Sequence, residues 1–139
     1  FDVDPSGHDL VYLDPPYAPP RDDNCYIKRY HFLEGLSVYW RGQTIMDDTK
    51  TKKLVKRFTP FSYKRTIVGA LRDTFEHFAE STIVLSYSSN AVPDAERIEG
   101  LLGAVKSSVE VRTLDHRYHF GTHTTAARRE VSEYLFVGR

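Results

Sequence analysis

Apolar and polar positions along the chain change period several times, and each change marks an element. Asp9-Leu10-Val11-Tyr12-Leu13 is a short apolar run of β-preferring residues, stopped by Asp14-Pro15-Pro16 because proline has no N–H to give a ladder. It predicts a buried strand. The aperiodic stretch Tyr17 to Lys28, with Pro19, Pro20, Asp22, Asp23 and Asn24, reads as a loop leaving that strand's carboxyl end. Phe32, Leu33, Leu36 and Tyr39 fall at helical spacing and predict a short helix over Tyr30 to Trp40, with Gly35 as a weakness within it. Gly42 to Thr59 is polar and basic without clear period. Thr59-Pro60 has the form of a helix cap with proline at the first helical position, and Ile67, Val68, Leu71, Phe75 and Phe78 then place one apolar face on a helix reaching Glu80. Thr82 to Tyr87 is a continuous β-branched run and predicts a second buried strand. Pro93 to Val105 reads as another amphipathic helix, with Ile98, Leu101, Leu102 and Val105 on one face, Asp94 and Glu96 in its first turn and Gly103 near its end.

The last third alternates instead. Val109 to Leu114 and Val131 to Val137 predict two strands joined by a long polar and basic loop, Tyr118 to Arg129, which suits an antiparallel pair at a sheet edge. The fold class that follows is α/β: a sheet whose first two strands, Asp9 to Leu13 and Thr82 to Tyr87, are parallel neighbours, closed by an antiparallel C-terminal edge hairpin. Handedness places the crossover helices on the two faces. No internal repeat or low-complexity tract interrupts this order.

Composition narrows the class without changing the fold. At 139 residues, 40% hydrophobic and 27% charged, the chain has the make-up of one globular domain and is neither disordered nor collagen-like. No apolar run approaches the roughly 18 to 20 residues of a membrane span, and Phe1 to Asp9 lacks a signal-peptide pattern, so the expectation is a soluble, cytoplasmic protein without a membrane partner. The single cysteine, Cys25, has no partner for a disulfide and no companions for a thiolate zinc site. The chain starts at Phe1 and its one methionine is Met46, so the expectation is a fragment of a longer protein.

Charge adds one local feature. Lys plus Arg and Asp plus Glu both number 19, which gives the whole chain no attraction for nucleic acid. Arg41 to Arg65, however, carries eight basic residues against Asp47 and Asp48. That segment is either a solvated loop or a phosphate-contacting one, through Lys52, Lys53, Lys56 and Arg57.

The candidate chemistry lies in Asp14-Pro15-Pro16-Tyr17, directly after the first strand and so at the carboxyl end of the sheet, where α/β proteins bind ligands. Two prolines stiffen the turn and keep the Pro15 carbonyl out of any helical bond, and the Asp14 carboxylate only accepts hydrogen bonds at neutral pH. Together they suit both hydrogens of an exocyclic amine, and Tyr17 offers a flat face for a base taken out of its helix.

Asp14-Pro15-Pro16-Tyr17 resembles the catalytic motif of amino-methyltransferases that use S-adenosylmethionine, most closely the Dam-like DNA adenine-N6 methyltransferases. Tyr30-His31-Phe32-Leu33-Glu34 matches the helix after the catalytic loop in one subgroup. Leu85-Ser86-Tyr87-Ser88-Ser89 resembles the strand end that follows. The tail from Arg117-Tyr118 through Arg128-Arg129-Glu130 to Glu133-Tyr134-Leu135-Phe136-Val137 is similar to that subgroup's final loop and hairpin. The resemblance covers nearly the whole chain, and its first motif is the specific one. It implies a partial Rossmann-like methyltransferase sheet and DNA methylation of the restriction–modification kind. Asp14 and the Pro15 carbonyl would accept from the adenine amine, Tyr17 would stack on the flipped base, and Asp14 and Pro16 would border S-adenosylmethionine. Tyr87 to Ser89 would line the same cleft, while Arg117, Arg128 and Arg129 would approach the phosphates of double-stranded DNA.

Two parts of the family pattern are missing: the glycine-rich turn that holds the cofactor's methionine part, and the target-recognition region. Residues 1–139 are therefore expected to be the C-terminal portion of one catalytic domain. By itself it should be inactive, bind the cofactor weakly or not at all, and need its N-terminal portion or a partner chain. The sheet edge left bare invites self-association. Alternatives stay open: a ribosomal-RNA type guanine-N2 methyltransferase with the same motif, or a non-catalytic half of a split enzyme. His119 and His123 stand four apart as in a metal pair, but methyl transfer of this kind needs no metal, and a solvated or DNA-facing loop is the expectation there.

Overall fold

A computed structural model describes residues 3–18, 27, 30–48, 50–116 and 131–139. Strands β1 (Leu10–Leu13), β2 (Thr82–Ser88), β3 (Val109–His116) and β4 (Val131–Gly138) form one four-stranded sheet in the order β1-β2-β4-β3. β1 runs parallel to β2, with Leu10 opposite Thr82 and Leu13 opposite Leu85. β4 is antiparallel to both β2 and β3, pairing Leu85 and Val111 with Phe136. The parallel pair and the antiparallel C-terminal hairpin are those the sequence predicts.

The helices are α1 (His31–Ser37), α2 (Ile67–His77) and α3 (Ala95–Gly103). α3 opens on Asp94, whose carboxylate accepts from the Arg97 N–H at 2.9 Å and satisfies one of the orphan donors of the first turn. Thr59-Pro60 opens only a single 3-10 turn, Pro60–Ser62, because Tyr63 is extended at φ −128° and ψ 132°. α2 starts afresh at Ile67, tied to that turn by the Thr66 hydroxyl, which donates to the Pro60 carbonyl at 2.7 Å. α1 is shorter than the periodicity suggests, since Tyr39 and Trp40 take left-handed φ values of 51° and 55°. Gly35 is what that reversal requires. The indole of Trp40 folds back so closely that a Cβ at position 35 would lie 2.2 Å from its Nε1.

Ile67, Leu71 and Phe75 of α2 and Ile98 and Leu102 of α3 share one core with Ile83, Leu85 and Tyr87 of β2 and Phe136 of β4. Both helices therefore cover the same sheet face, not the two faces expected from the sequence. β2 and β3 are both antiparallel to β4 and so parallel to each other, which makes β1 to β2 and β2 to β3 both parallel crossovers; the order β1-β2-β4-β3 carries both in the same direction across the sheet, and right-handedness then puts both helices on one face. On the opposite face Leu10, Tyr12 and Leu114, toward the two edges, are 56%, 57% and 54% exposed, whereas Ser86, Ser88 and Val137 between them are buried. β1 is thus not the buried strand its composition predicts. It lies at the sheet edge, where its apolar residues have strand β2 on one side and no helix over Leu10 and Tyr12.

Lys106 is buried at the foot of this core, and its ammonium donates to the carbonyls of Phe78, at 3.2 Å, Ala79 and Ser81. These acceptors lie just beyond α2, where helical partners run out, and burial lowers the pKa of the amine. Lys106→Met should reduce stability by about 2 to 4 kcal/mol, since the three carbonyls lose a charged donor. Urea unfolding of wild type and variant checks this; a change below about 1 kcal/mol contradicts it.

Candidate active site

β1 ends at Leu13 and delivers Asp14-Pro15-Pro16-Tyr17 to the carboxyl end of the parallel pair. The loop is held there by a second tie immediately downstream. The Val92 N–H donates to the carbonyl of buried Ala18 at 2.9 Å, and the Tyr87 hydroxyl donates to the Val92 carbonyl. The segment after β1 is thereby bound to the segment after β2. The Tyr17 ring stands edge-on to the Tyr87 ring, with centroids 5.2 Å apart at 71°. The end of β2 is latched in turn: the Ser89 N–H donates to the Ser132 carbonyl at 2.9 Å, and the Ser132 N–H to Ser89 Oγ at 3.0 Å.

A polar cluster grows from this frame. Asp14 is exposed and Tyr17 half-buried. The Tyr17 hydroxyl lies 3.1 Å from Asp14 Oδ1 and 3.3 Å from Glu133 Oε1, and the Ser86 hydroxyl donates to the same Glu133 oxygen. Burial pushes the Tyr17 phenol well above the ordinary tyrosine value; the Ser86 hydrogen bond works against this, and the charges of Asp14 and Glu133 add to it. Burial likewise pushes Tyr87 up to about 12. Both phenols stay protonated at any physiological pH.

This has a consequence for stability. The folded pKa values lie above the ordinary 10.0, so the contribution is complete below pH 10 and is lost as pH rises, where the unfolded chain ionises and the folded one resists. Raising the pH from 10 to 11 should cost about 1 kcal/mol through buried Tyr87, and less through half-buried Tyr17, where solvent screens the charge. The urea midpoint should fall over that interval in wild type and less steeply in Tyr87→Phe; equal slopes would refute the assignment.

No family model matches the sequence, and no solved structure matches it. Relatives do. The sequence is 27% identical over 130 residues, 92% of this chain, to the type II methyltransferase M.FokI of Planomicrobium okeanokoites. It is 28% identical over 125 residues, 88% of the chain, to modification methylase LlaI of Lactococcus lactis subsp. lactis. To modification methylase StsI of Streptococcus sanguinis it is 25% identical over 134 residues, 92% of the chain. Over most of its length this chain is similar to modification methyltransferases. It spans 19% of the length of each of these relatives.

The residues singled out from the sequence fall into three groups. Asp14, Pro15, Pro16 and Tyr17 are adjacent at one end of the sheet, where the Tyr17 ring meets Tyr87. Lys52, Lys53, Lys56 and Arg57 sit on a small ladder in which Ile45 bridges Leu54, the Met46 N–H donates to the Lys53 carbonyl and the Val55 N–H to the Thr44 carbonyl. Their charge is partly engaged locally. Lys52 lies 3.6 Å from the Asp47 carboxylate, Arg57 donates to Gln43 and Lys56 stands 4.8 Å over the Tyr63 ring. Arg117, Arg128 and Arg129, with Cys25, His119 and His123, lie outside the described residues.

Glu133 went unassigned in the sequence reading, beyond its place in the similar tail. Alternation along β4 predicts which residues share its face, but only the register, Ser88 opposite Glu133 and Ser86 opposite Leu135, brings it beside Ser86 and the Asp14 loop.

The described residues do not by themselves fit S-adenosylmethionine. Asp14 and Pro16 stand at the end of an edge strand. The glycines with positive φ among the described residues are Gly7, ahead of β1, and Gly42, in the loop after α1, so neither follows a strand as a backbone cradle would.

Proposed function

We propose that this chain forms the amine-binding side of a DNA adenine-N6 methyltransferase active site that takes its methyl group from S-adenosylmethionine, of the restriction–modification kind. The exposed Asp14 carboxylate beside the half-buried Tyr17 ring, at the carboxyl end of the parallel pair, carries the reading. Asp14 and the Pro15 carbonyl accept the two hydrogens of the adenine amine, which turns the nitrogen lone pair out of the ring plane and toward the methyl donor. Tyr17 stacks on the base once it leaves the duplex, a contact worth about 1 to 3 kcal/mol. The rate gain of such residues is one of alignment.

Residues 1–139 are one portion of the catalytic domain in this reading, and the remaining polypeptide or a partner chain grips the cofactor and reads the target. S-adenosylmethionine, when bound, supplies an electrophilic methyl group. Lys52, Lys53, Lys56 and Arg57, with Arg117, Arg128 and Arg129, contact phosphates and hold double-stranded DNA without reading its sequence. The test is to incubate the intact protein with S-adenosylmethionine labelled in the methyl group and with either duplex DNA or structured RNA, then to identify the labelled nucleoside. N6-methyladenine from DNA is expected. N2-methylguanine from RNA would transfer the reading to the RNA enzymes, and no labelled nucleoside would end it.

A further inference from the structure

Helix α1 closes at its carboxyl end with a reversal that most often takes glycine. The Trp40 N–H donates to the Gly35 carbonyl at 2.7 Å and the Tyr39 N–H to the Leu36 carbonyl at 3.1 Å, so Tyr39 is the left-handed residue of the closure, at φ 51°. A side chain is strained in that conformation. Trp40, also left-handed, is turned inward: its indole lies against Gly35 and edge-on to Phe32, with ring centroids 5.7 Å apart. Tyr39 is 77% exposed, the most of any large apolar or aromatic side chain among the described residues. Glycine would close the helix without the strain, and packing does not account for an aromatic ring there.

The turn is continuous with the basic ladder. The Gln43 N–H donates to the Trp40 carbonyl at 3.2 Å, Arg57 donates to the Gln43 side chain, and the pairing of Thr44 with Val55 follows. Arg41 to Arg57 holds six basic residues against Asp47 and Asp48, and Arg41, Lys50, Lys52, Lys56 and Arg57 are exposed. Phe58, the next residue, is 65% exposed and lies flat against Tyr63. Exposed rings set among cations fit a partner that carries both anions and π-faces, and nucleic acid carries both.

We propose that Tyr39 is a DNA-contacting residue that stacks on an unpaired base while the neighbouring cations hold the phosphates. The inference rests on the reading given above, in which the protein acts on DNA and takes a base out of the duplex, leaving that base's former partner unpaired. It adds a base contact to a surface that otherwise grips only the backbone. Stacking tolerates any base, so Tyr39 adds affinity without reading sequence.

In the intact protein, Tyr39→Ala and Tyr39→Gly should each bind a DNA duplex carrying one unpaired adenine about tenfold more weakly than wild type, and Tyr39→Phe within about twofold of it. The loss should be smaller on the same duplex fully paired. The slope of affinity against salt should stay as in wild type, since no charge is removed. Tyr39→Gly separates binding from folding: relief of the left-handed tyrosine should raise the urea midpoint while DNA affinity falls. A lower midpoint in Tyr39→Gly overturns the inference, because the ring would then be packed against protein. Equal losses on the two duplexes overturn it as well, because they mark a backbone contact. Wild type that binds duplex DNA no better than Tyr39→Ala and Tyr39→Gly overturns the inference alone, whereas wild type that binds neither duplex overturns the reading of the protein as acting on DNA, and the inference with it.

Discussion

Asp14→Ala in the intact enzyme is expected to reduce methyl transfer by about a thousandfold or more while leaving DNA affinity within about threefold of wild type. The reason is the division of labour between the two sets of candidate residues. Asp14 stands at a loop end with its carboxylate exposed and faces no phosphate-binding cation in the described structure, so its removal takes away a hydrogen-bond acceptor for the amine and no electrostatic contact with the DNA backbone. The amine then keeps its planar, conjugated form, and the Pro15 carbonyl alone cannot align it. Single-turnover methylation and a salt-controlled binding titration separate the two quantities. Activity retained within about tenfold would remove Asp14 from the role assigned to it.

The second large effect concerns the 139-residue polypeptide on its own, which is expected neither to methylate DNA nor to bind S-adenosylmethionine with micromolar affinity. Transfer to an exocyclic nitrogen depends on holding donor and acceptor in line, and both must be gripped. The described residues present the Asp14 and Tyr17 corner proposed to bind the amine and lack a glycine cradle after any strand. The same polypeptide is expected to self-associate. Among the described residues β1 pairs on one side only, and Leu10 and Tyr12 on it are exposed, as is Leu114 on the other edge strand, β3. Calorimetry and light scattering on the isolated polypeptide check both halves, and a monodisperse monomer that binds the cofactor at micromolar concentration refutes them together.

Much of this protein was legible in its sequence. Local patterns suffice where a segment's own chemistry decides its conformation. The β-branched run Thr82 to Tyr87 can hardly be anything but a strand, Asp94 can cap the helix it precedes, and Asp14-Pro15-Pro16 must end a ladder because proline cannot continue one. Such features placed the Asp14 motif at a strand's carboxyl end before any coordinates, and they identified the parallel pair and the C-terminal hairpin. Other features depend on which elements come together, and periodicity carries no information about that. β1 reads as buried because its residues are apolar, yet strand order puts it at an edge. Gly35 reads as a defect in a helix, yet Trp40 needs the space that its missing side chain leaves. Lys106 reads as a surface charge and is instead the buried donor to three carbonyls from a turn more than 20 residues away. Glu133 lies 116 residues from Tyr17 in sequence and 3.3 Å from it in space, because antiparallel pairing of β4 with β2 sets a register that no local preference encodes. The Asp14-Pro15-Pro16-Tyr17 motif was therefore determined by the sequence itself, whereas the Glu133 carboxylate beside the Tyr17 hydroxyl was decided only by the tertiary structure, since a hydrogen bond between distant residues exists only once the sheet has brought them into register.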